Sequence, residues 1–296
     1  MAENAAADLI TSRENRWVKM FRAGLRGAGP EKDEAIAVEG PKLIEDALRH
    51  GLEAEAVMVS ESAERHMEPI LRAASASDAG ISRSRVFRTT DKIFESMSGT
   101  EAPQGVAALF RQPAWDFEDL LRGGTADELG ERGAKGLPLI VVMAGVQDPG
   151  NVGTVLRSAE AFGATGVVAA RGTADPWSPK AVRASAGSAL RLPVLRGMAL
   201  PVLLAQLRVS HVAVIAAAAH SDDGETGSDK TRADFSRPCA IFIGSEGAGL
   251  PREVESAADA RMAIPMAKSV ESLNAGVAAS ILLYEAARQR LTDRKD

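Results

Sequence analysis

The sequence predicts an α/β protein whose carboxyl-terminal part is built on a mostly parallel β-sheet. Two observations lead to this prediction. From Leu137 onward, short apolar segments alternate with longer segments in which apolar residues recur at helical spacing. The short segments are apolar throughout, which is typical of strands that are covered on both faces. Such alternation indicates a parallel sheet with helices on both sides.

The composition is that of an ordinary globular protein. Of 296 residues, 45% are hydrophobic and 25% charged, while only 4% are aromatic, so alanine, valine and leucine must form most of the core. The net charge of −5 argues against bulk coating of nucleic acid but allows a local basic surface. Because the sequence contains neither a signal segment nor an apolar run long enough for a membrane, we expect a cytoplasmic protein without a membrane partner.

Neither a metal site nor a disulfide is expected. The single cysteine, Cys239, precedes an apolar segment and is interpreted as a buried structural thiol. The four histidines, which show no metal-ligand spacing, are His50, His66, His211 and His220.

Residues 11–113 are predicted to form a small first domain of helices and strands. Ser12 is placed to cap a helix that carries Trp17, Phe21 and Leu25 at helical spacing. The other predicted elements are strands at 35–40, 54–60 and 104–110 and a helix at 41–50. The first helix also has a basic side, formed by Arg16, Lys19, Arg22 and Arg26. From the pattern alone, a solvated helix face is the preferred interpretation of this side.

A polar, glycine-rich segment, residues 114–136, is predicted to be a linker with one short helix. Residues 137–296 form the predicted second domain. Its predicted strands are 137–144, 166–170, 211–219, 239–246 and 260–266, and its predicted helices are 151–162, 179–190 and 272–291.

The first strand-to-helix transition of this domain contains Asn151, Gly153 and Arg157. The spacing predicts that the buried side of the helix consists of Val152, Val155, Leu156 and Ala159. Arg157 lies off that side, and its helical neighbours Gly153, Thr154 and Ala161 are small, so a large ligand can approach its guanidinium. Asn151 is placed either to cap the helix or to hold a ligand group. On its own, this segment is explained by a capped helix with a solvated arginine.

Two further transitions have the same character. One predicted strand ends in Gly244 and Glu246, where a helix-capping role for Glu246 is the alternative. Another ends at 264–265, and Ser272 and Asn274 precede the last helix, with Ser272 as a candidate N-cap. Since ligands of open α/β folds bind beyond the carboxyl ends of the strands, the three transitions together predict one binding site.

These three segments, in this order, resemble the three signature motifs of the SpoU (TrmH-like) RNA ribose methyltransferases of the SPOUT superfamily. The matching residues are Asn151, Gly153 and Arg157 for the first motif, Gly244, Glu246, Gly247, Gly249 and Leu250 for the second, and Ile264, Pro265, Met266, Ser272, Leu273 and Asn274 for the third. The segments VEGPKLIEDAL and APQGVAAL are similar to the ribosomal-protein-like substrate-binding domain that often precedes this catalytic domain.

The resemblance implies a carboxyl-terminal trefoil knot, a homodimer, ribosomal or transfer RNA as substrate, and S-adenosyl-L-methionine as cofactor. The residues it implies for cofactor binding are Gly244, Gly249, Ile264, Met266 and Leu273. Those it implies for catalysis are Arg157, Asn151, Glu246, Ser272 and Asn274. RNA selection would fall to the first domain, through Arg16, Lys19, Arg22 and Arg26.

Chemistry limits what Arg157 can do in such a reaction. Arginine is protonated at all ordinary pH values, so we expect Arg157 to bind an RNA phosphate and to stabilise the developing alkoxide. The sequence leaves open which group takes the proton of the 2′-hydroxyl. It also departs from the family pattern at Lys268, where a glycine is usual, and at Ala275–Gly276, where Val-Ser is usual. We expect the Lys268 ammonium to point away from the cofactor.

Two other functions fit parts of the sequence. A nicotinamide-dependent oxidoreductase would share the alternating strands and helices, but the segment AGVQDPGNVG lacks the G-x-G-x-x-G spacing. A catalytically idle RNA-binding protein is the non-enzymatic alternative, suggested by Lys268 and by the acidic net charge. Binding of S-adenosyl-L-methionine distinguishes these from a methyltransferase.

Overall fold

The computed structural model describes residues 8–27, 35–75, 85–122, 137–218, 233–267, 269–270 and 272–292. The chain divides into two compact units. One comprises Met1–Ala114 and Trp177–Val182, and the other comprises Trp115–Pro176 and Arg183–Asp296. Each unit has its own β-sheet, and the two are described separately.

The first unit contains a five-stranded sheet in the order β1-β4-β3-β5-β2. Strand β5 is antiparallel to both its neighbours, and the other pairs are parallel. The elements of this part are β1 (Asp8–Ile10), α1 (Arg16–Leu25), β2 (Ala35–Glu39), α2 (Pro41–Arg49), β3 (Ala54–Ser60), α3 (Met67–Ser75), β4 (Arg85–Thr89), α4 (Asp91–Met97) and β5 (Val106–Arg111). Phe21, Phe87 and Phe94 are buried in the core between the sheet and helices α1 and α4.

The predicted cap of the first helix is wrong by three residues. Helix α1 begins at Arg16, and its N-cap is Asn15, whose side chain accepts a hydrogen bond of 2.8 Å from Trp17 N. Ser12 instead accepts a bond from Glu14 N in the preceding turn. Both residue types cap helices well, so the sequence pattern did not separate them.

The second unit is built on a six-stranded sheet in the order β11-β9-β10-β6-β7-β8, in which every neighbouring pair is parallel. From residue 115 onward the elements are α5 (Phe117–Arg122), β6 (Leu139–Ala144), α6 (Pro149–Ala161), β7 (Gly166–Ala170), α7 (Pro179–Ala184), β8 (Val194–Met198), α8 (Leu200–Val209), β9 (Ala213–Ala218), β10 (Cys239–Gly244), α9 (Arg252–Ala257), β11 (Ala260–Ala263) and α10 (Ala275–Thr292). The central strands β6 and β10 are buried almost throughout, as their continuous apolar sequences predict.

Two predicted elements are shorter in the structure. The helix expected at 179–190 ends at Ala184, the chain turns at Ala186 (φ 50°), and a 3-10 helix follows at Ser188–Leu190. The strand expected at 260–266 ends at Ala263, because Pro265 has no N–H to donate to a neighbouring strand. The residues after Ala263 therefore leave the sheet.

Helix α10 is attached to the amino-terminal ends of the central strands through Arg290. This arginine is buried and donates hydrogen bonds of 2.8–3.0 Å to the carbonyls of Leu137, Pro138, Phe235 and Arg237. Cys239 lies beside it and is fully buried, as predicted, and burial raises the pKa of its thiol to about 11. The last helix thus runs from the carboxyl edge of the sheet to the opposite edge.

Two features are absent from the described residues. No helix among them is long and apolar enough to cross a membrane. Within the same residues there is also no group of three or more histidine, cysteine, aspartate or glutamate side chains that could hold a metal ion.

Candidate active site

The candidate site lies at the carboxyl ends of β6 and β10, which are neighbours at the centre of the second sheet. Helix α6 starts beyond β6, and its first residue is Pro149. The N-cap is Asp148, whose carboxylate accepts a hydrogen bond of 3.0 Å from Asn151 N. The capping role considered for Asn151 is therefore wrong. An aspartate followed by proline is a standard helix start, and this signal was available in the sequence.

Arg157 occupies the exposed side of α6. The predicted apolar side is confirmed, since Val152, Val155, Leu156 and Ala159 are fully buried. The Arg157 side chain makes neither a hydrogen bond nor an ion pair to any residue that the structure describes. Its guanidinium is therefore available to a ligand.

Helices α6 and α10 lie side by side and run in the same direction. Thr154 faces Gly276, Ser158 Oγ lies 2.6 Å from Ser280 Oγ, and the Phe162 and Tyr284 rings meet edge to face at 5.9 Å. In each of these pairs the two residue numbers differ by 122. The two helices are consequently parallel, and α10 begins level with Gly153, about one turn after the start of α6.

Gly276 allows this close approach of the helices. A Cβ atom at this position would lie 2.9 Å from Thr154 Cβ, which is closer than side chains normally pack. Both Ala275 and Gly276, the residues that depart from the family pattern, are buried. Lys268, the other departure, lies outside the described residues.

Glu246 is presented by a tight loop after β10. The backbones of Ser245 and Gly249 exchange two hydrogen bonds of 3.1 and 3.0 Å across the loop. Gly244 packs directly under it, and a Cβ atom there would lie 2.4 Å from the Gly249 carbonyl. Only glycine fits at position 244, and the loop projects Glu246 toward α6 and α10.

Asn274 connects the third motif to the other two. Its side-chain oxygen accepts hydrogen bonds from Gly276 N and Val277 N, so Asn274, and not Ser272, caps α10. This bonding directs the amide nitrogen away from the helix, where it donates to Asn151 Oδ1 at 2.9 Å and to Glu246 Oε1 at 3.1 Å.

Asn151 closes the arrangement by donating from Nδ2 to the same oxygen, Glu246 Oε1. One residue from each of the three motifs thus meets in a single hydrogen-bonded cluster, the Asn151–Glu246–Asn274 triangle. Glu246 Oε2 accepts no hydrogen bond from the described residues. Ser272 is exposed beside the triangle and likewise has no hydrogen-bond partner there.

Two cavities of about 340 Å³ each share the Glu246 loop as a wall. The first cavity opens toward β11 and α10, and all five residues expected at the cofactor line it: Gly244, Gly249, Ile264, Met266 and Leu273. Glu246 is its single charged lining residue among those described, and Ser272 lines it as well.

The second cavity lies on the α6 side of the Glu246 loop. It is lined by Gly145–Asp148, Asn151 and Ser245–Ala248. The sequence analysis did not identify Gln147 or Asp148 as site residues. Their position directly after a buried strand, in the turn that leads to α6, was the signal that could have found them.

The basic side of α1 belongs to the first unit, and most of it is already engaged. Arg22 Nε and Arg26 Nη2 donate to the Ser96 carbonyl in the last turn of α4, at 3.3 and 3.1 Å. Lys19 Nζ lies 2.7 Å from a carboxylate oxygen of Glu14. Of the four residues expected to bind RNA, Arg16 alone has neither a hydrogen bond nor an ion pair to a described residue.

The sequence matches two family models, that of the SpoU rRNA methylase family over residues 138–284 and that of the MRM3-like substrate-binding domain over residues 29–108. An uncharacterized tRNA/rRNA methyltransferase of Synechocystis is 31% identical over 95% of this chain and 94% of its own. RlmB of Ralstonia nicotianae, a 23S rRNA (guanosine-2′-O-)-methyltransferase, is 36% identical over 77% of this chain and 84% of its own. The chain belongs to the SpoU rRNA methylase family.

Solved structures agree with this assignment. An AdoMet-bound rRNA methyltransferase from Sinorhizobium meliloti superposes with a TM-score of 0.77 at 28% identity, covering 95% of this chain and 98% of its own. The SpoU methyltransferase AviRb from Streptomyces viridochromogenes, in complex with AdoMet, gives 0.76 at 28% identity, covering 94% and 99%. The resemblance and the fold class are thereby confirmed, and the nicotinamide-dependent alternative is wrong.

Proposed function

We propose that this chain transfers the methyl group of S-adenosyl-L-methionine to a ribose 2′-hydroxyl of ribosomal or transfer RNA. The observation that carries the proposal is the position of the Asn151–Glu246–Asn274 triangle at the wall between the two cavities. A methyl donor in the first cavity and an acceptor nucleotide in the second would meet at this wall. The RNA and cofactor of the relatives named above support the same reaction.

The first cavity suits S-adenosyl-L-methionine in size, polarity and charge. Its volume lies within the usual range for small-ligand sites, roughly 300–1,000 Å³. Apolar side chains and glycine backbone form a suitable environment for the adenine ring of the cofactor. We assign Gly244, Ile264 and Leu273 to the binding of this ring. The carboxylate of Glu246 is the charged group at its wall, and a cationic sulfonium is compatible with that sign.

Bound there, the cofactor supplies an electrophilic methyl group. Arg157 binds the phosphate next to the acceptor ribose and stabilises the negative charge that develops on the 2′-oxygen. Because Arg157 has no carboxylate partner among the described residues, its positive charge is not compensated before RNA binds. Ser272, exposed in the lining of the first cavity, positions the methyl donor by a hydrogen bond.

Glu246 Oε2 is the proton acceptor that the geometry favours. Two amide groups hold the carboxylate through Oε1, so Oε2 has a fixed position and no competing donor among the described residues. A carboxylate can take the hydroxyl proton, whereas the guanidinium of Arg157 is already protonated. Asn151 and Asn274 act as positioning residues for this carboxylate.

Two measurements test the proposal. Calorimetric titration with S-adenosyl-L-methionine must give a binding signal, and total RNA from a strain lacking the gene must accept methyl groups at a ribose. RNA binding without any binding of S-adenosyl-L-methionine would favour the idle RNA-binding alternative.

Arg157→Ala tests the role of the arginine. The free energy of unfolding should change by no more than about 0.5 kcal/mol, because the side chain is exposed and has no partner among the described residues, while most methyl transfer should be lost.

We also propose a homodimer formed through the second unit. Helix α10 carries an exposed apolar stripe of Val277, Ile281 and Tyr284, which are 46%, 40% and 57% exposed. Leu282, on the opposite side of the helix, is buried within the chain. A mass near 31.0 kDa in light scattering at micromolar protein would contradict the dimer. We propose a cytoplasmic location as well, since such an RNA substrate is present there, and fractionation of cells can test it.

We propose that each predicted domain has its own role. Residues 11–113 select the RNA, and residues 137–296 carry out catalysis. Within the segment between them, α5 belongs with the catalytic part, because Leu120 is fully buried in the core cluster of the second sheet. We propose in addition that the chain before α10 forms the trefoil knot that the family resemblance implies. An experimental chain trace in which α10 threads no loop would contradict the knot.

A further inference from the structure

We propose that the first unit has an RNA-binding site centred on Trp17, at which Arg16 and Arg85 bind backbone phosphates of an unpaired nucleotide whose base lies against the aromatic cluster. This inference rests on the proposed function, since it assumes an RNA substrate. It differs from the set of basic residues that the sequence suggested, because Arg85 belongs to a different element, strand β4.

The site is a cluster of aromatic rings and guanidinium groups. The Trp17 ring is partly buried and lies 5.2 Å from the Phe87 ring, centre to centre. Arg16 Cζ and Arg85 Cζ lie 5.1 and 5.7 Å from the centre of the Trp17 ring. A guanidinium over an aromatic ring is attracted by the negative face of that ring. The ring therefore holds both arginines in place while their side chains stay exposed.

No described residue pairs with the charge of these two arginines. Several other cations of the first unit are engaged: Lys19 with Glu14, Arg88 with Glu64, and Arg22 and Arg26 with the Ser96 carbonyl. Arg16 and Arg85 form neither an ion pair nor a hydrogen bond with any described residue. Two positive charges thus remain beside one aromatic ring, in a chain whose net charge is −5.

A single-stranded nucleic acid fits this combination better than an acidic peptide does. Guanidinium planes and aromatic rings stack on unpaired bases, and the N–H edges of arginine match phosphate oxygens. Stacking of a base on an aromatic ring needs no particular sequence, because every base has a π-face. A carboxylate peptide would use the two charges but would gain nothing from the ring that orders them.

The test uses the full chain and a short fluorescein-labelled single-stranded RNA of mixed sequence, with anisotropy titrations at several salt concentrations. The double variant Arg16→Gln/Arg85→Gln should bind about tenfold more weakly, and its slope of log affinity against log salt should fall by about 1.4, because two phosphate contacts are lost. The matched control is Arg49→Gln/Arg72→Gln, which removes two exposed arginines paired within their own helices. Its slope should equal that of the wild type.

A second measurement locates the RNA at the ring. Trp17→Phe keeps an aromatic core residue, while Trp115 and Trp177 remain as unaffected fluorophores. RNA-dependent quenching of tryptophan fluorescence should be lost in this variant.

Three results would overturn the inference: equal salt slopes in the two double variants, quenching that persists without Trp17, or displacement of the RNA by polyglutamate as readily as by unlabelled RNA. If the wild-type chain binds no RNA under any condition, the proposed function fails together with this inference. If it binds RNA but gives one of these three results, only this inference fails.

Discussion

The side-chain nitrogen of Asn274 donates a hydrogen bond of 2.9 Å to Asn151 Oδ1, although the two residues are 123 positions apart. The contact follows from the parallel packing of α6 and α10, which places Asn274 level with the first turn of α6. Asn274 caps its helix with one end of its amide and contacts Asn151 and Glu246 with the other. Packing of two helices is thereby coupled to the orientation of a carboxylate.

Asn274→Asp separates these two roles. An aspartate still accepts the hydrogen bonds from Gly276 N and Val277 N, so the helix cap and the stability of the fold should be kept. It cannot donate to Asn151, and its negative charge would lie about 3 Å from Glu246, a repulsive arrangement. We expect methyl transfer to fall about a hundredfold with an unchanged melting temperature. A variant with normal turnover would show that the triangle has no part in the reaction.

Glu246→Gln tests the proton acceptor. The amide can keep its oxygen toward Asn151 and Asn274 and preserve the triangle, but the group in place of Oε2 no longer takes a proton. We expect kcat to fall at least about a hundredfold while the Kd for S-adenosyl-L-methionine changes little. Glu246→Ala, which removes the triangle as well, is the comparison. Equal activity of Glu246→Gln and wild type would show that a group other than Glu246 takes the proton.

Gly244, the last residue of β10, and Gly247, in the loop that follows, allow the same substitution to be compared at two nearby positions. Alanine at position 244 would place Cβ 2.4 Å from the Gly249 carbonyl and push the loop out of the cofactor cavity. Alanine at position 247 meets no heavy atom within 4 Å. Calorimetry should therefore show cofactor affinity reduced at least about tenfold in Gly244→Ala and nearly normal in Gly247→Ala. The same affinity in both variants would contradict the placement of the cofactor against this loop.

Much of the second unit could be predicted from the sequence, because its central elements have strong periodic patterns. The buried side of α6 and the exposed position of Arg157 followed from helical spacing alone. Strand β8 was missed because an edge strand containing Arg196 and Gly197 has no apolar run. The partners of Glu246 could not be found this way, since Asn151 and Asn274 reach it only through the packing of α6 on α10.

Cys239 gives a pH-dependent signal for folding. Burial raises the pKa of its thiol from 9.0 to about 11, although Arg290 beside it acts in the opposite direction. A group whose pKa is raised by folding contributes stability that is complete below the unfolded-state value and is lost as the pH rises through the folded-state value. The urea midpoint should therefore fall more steeply between about pH 9 and 11 in wild type than in Cys239→Ala. Parallel curves would contradict the assignment.

The last prediction concerns Glu160, which lies one helical turn after Arg157 and on a spacing that allows an ion pair. In the structure its carboxylate accepts hydrogen bonds from Arg191 Nε and Nη2 at 2.5 and 2.7 Å and from Ser188 Oγ at 2.6 Å. Arg191 thus binds a carboxylate whose position three residues after Arg157 would also allow an ion pair with Arg157.

Arg191→Gln should release Glu160 toward Arg157 and lower methyl transfer about tenfold, chiefly through a higher KM for RNA, because the phosphate-binding charge is then compensated. Glu160→Gln/Arg191→Gln should recover most of this loss, since no carboxylate remains to compete. If Arg191 has only a structural role, methyl transfer by Glu160→Gln/Arg191→Gln should be no faster than methyl transfer by Arg191→Gln. Steady-state kinetics of the two variants and of Glu160→Gln, together with their melting temperatures, decide between these outcomes.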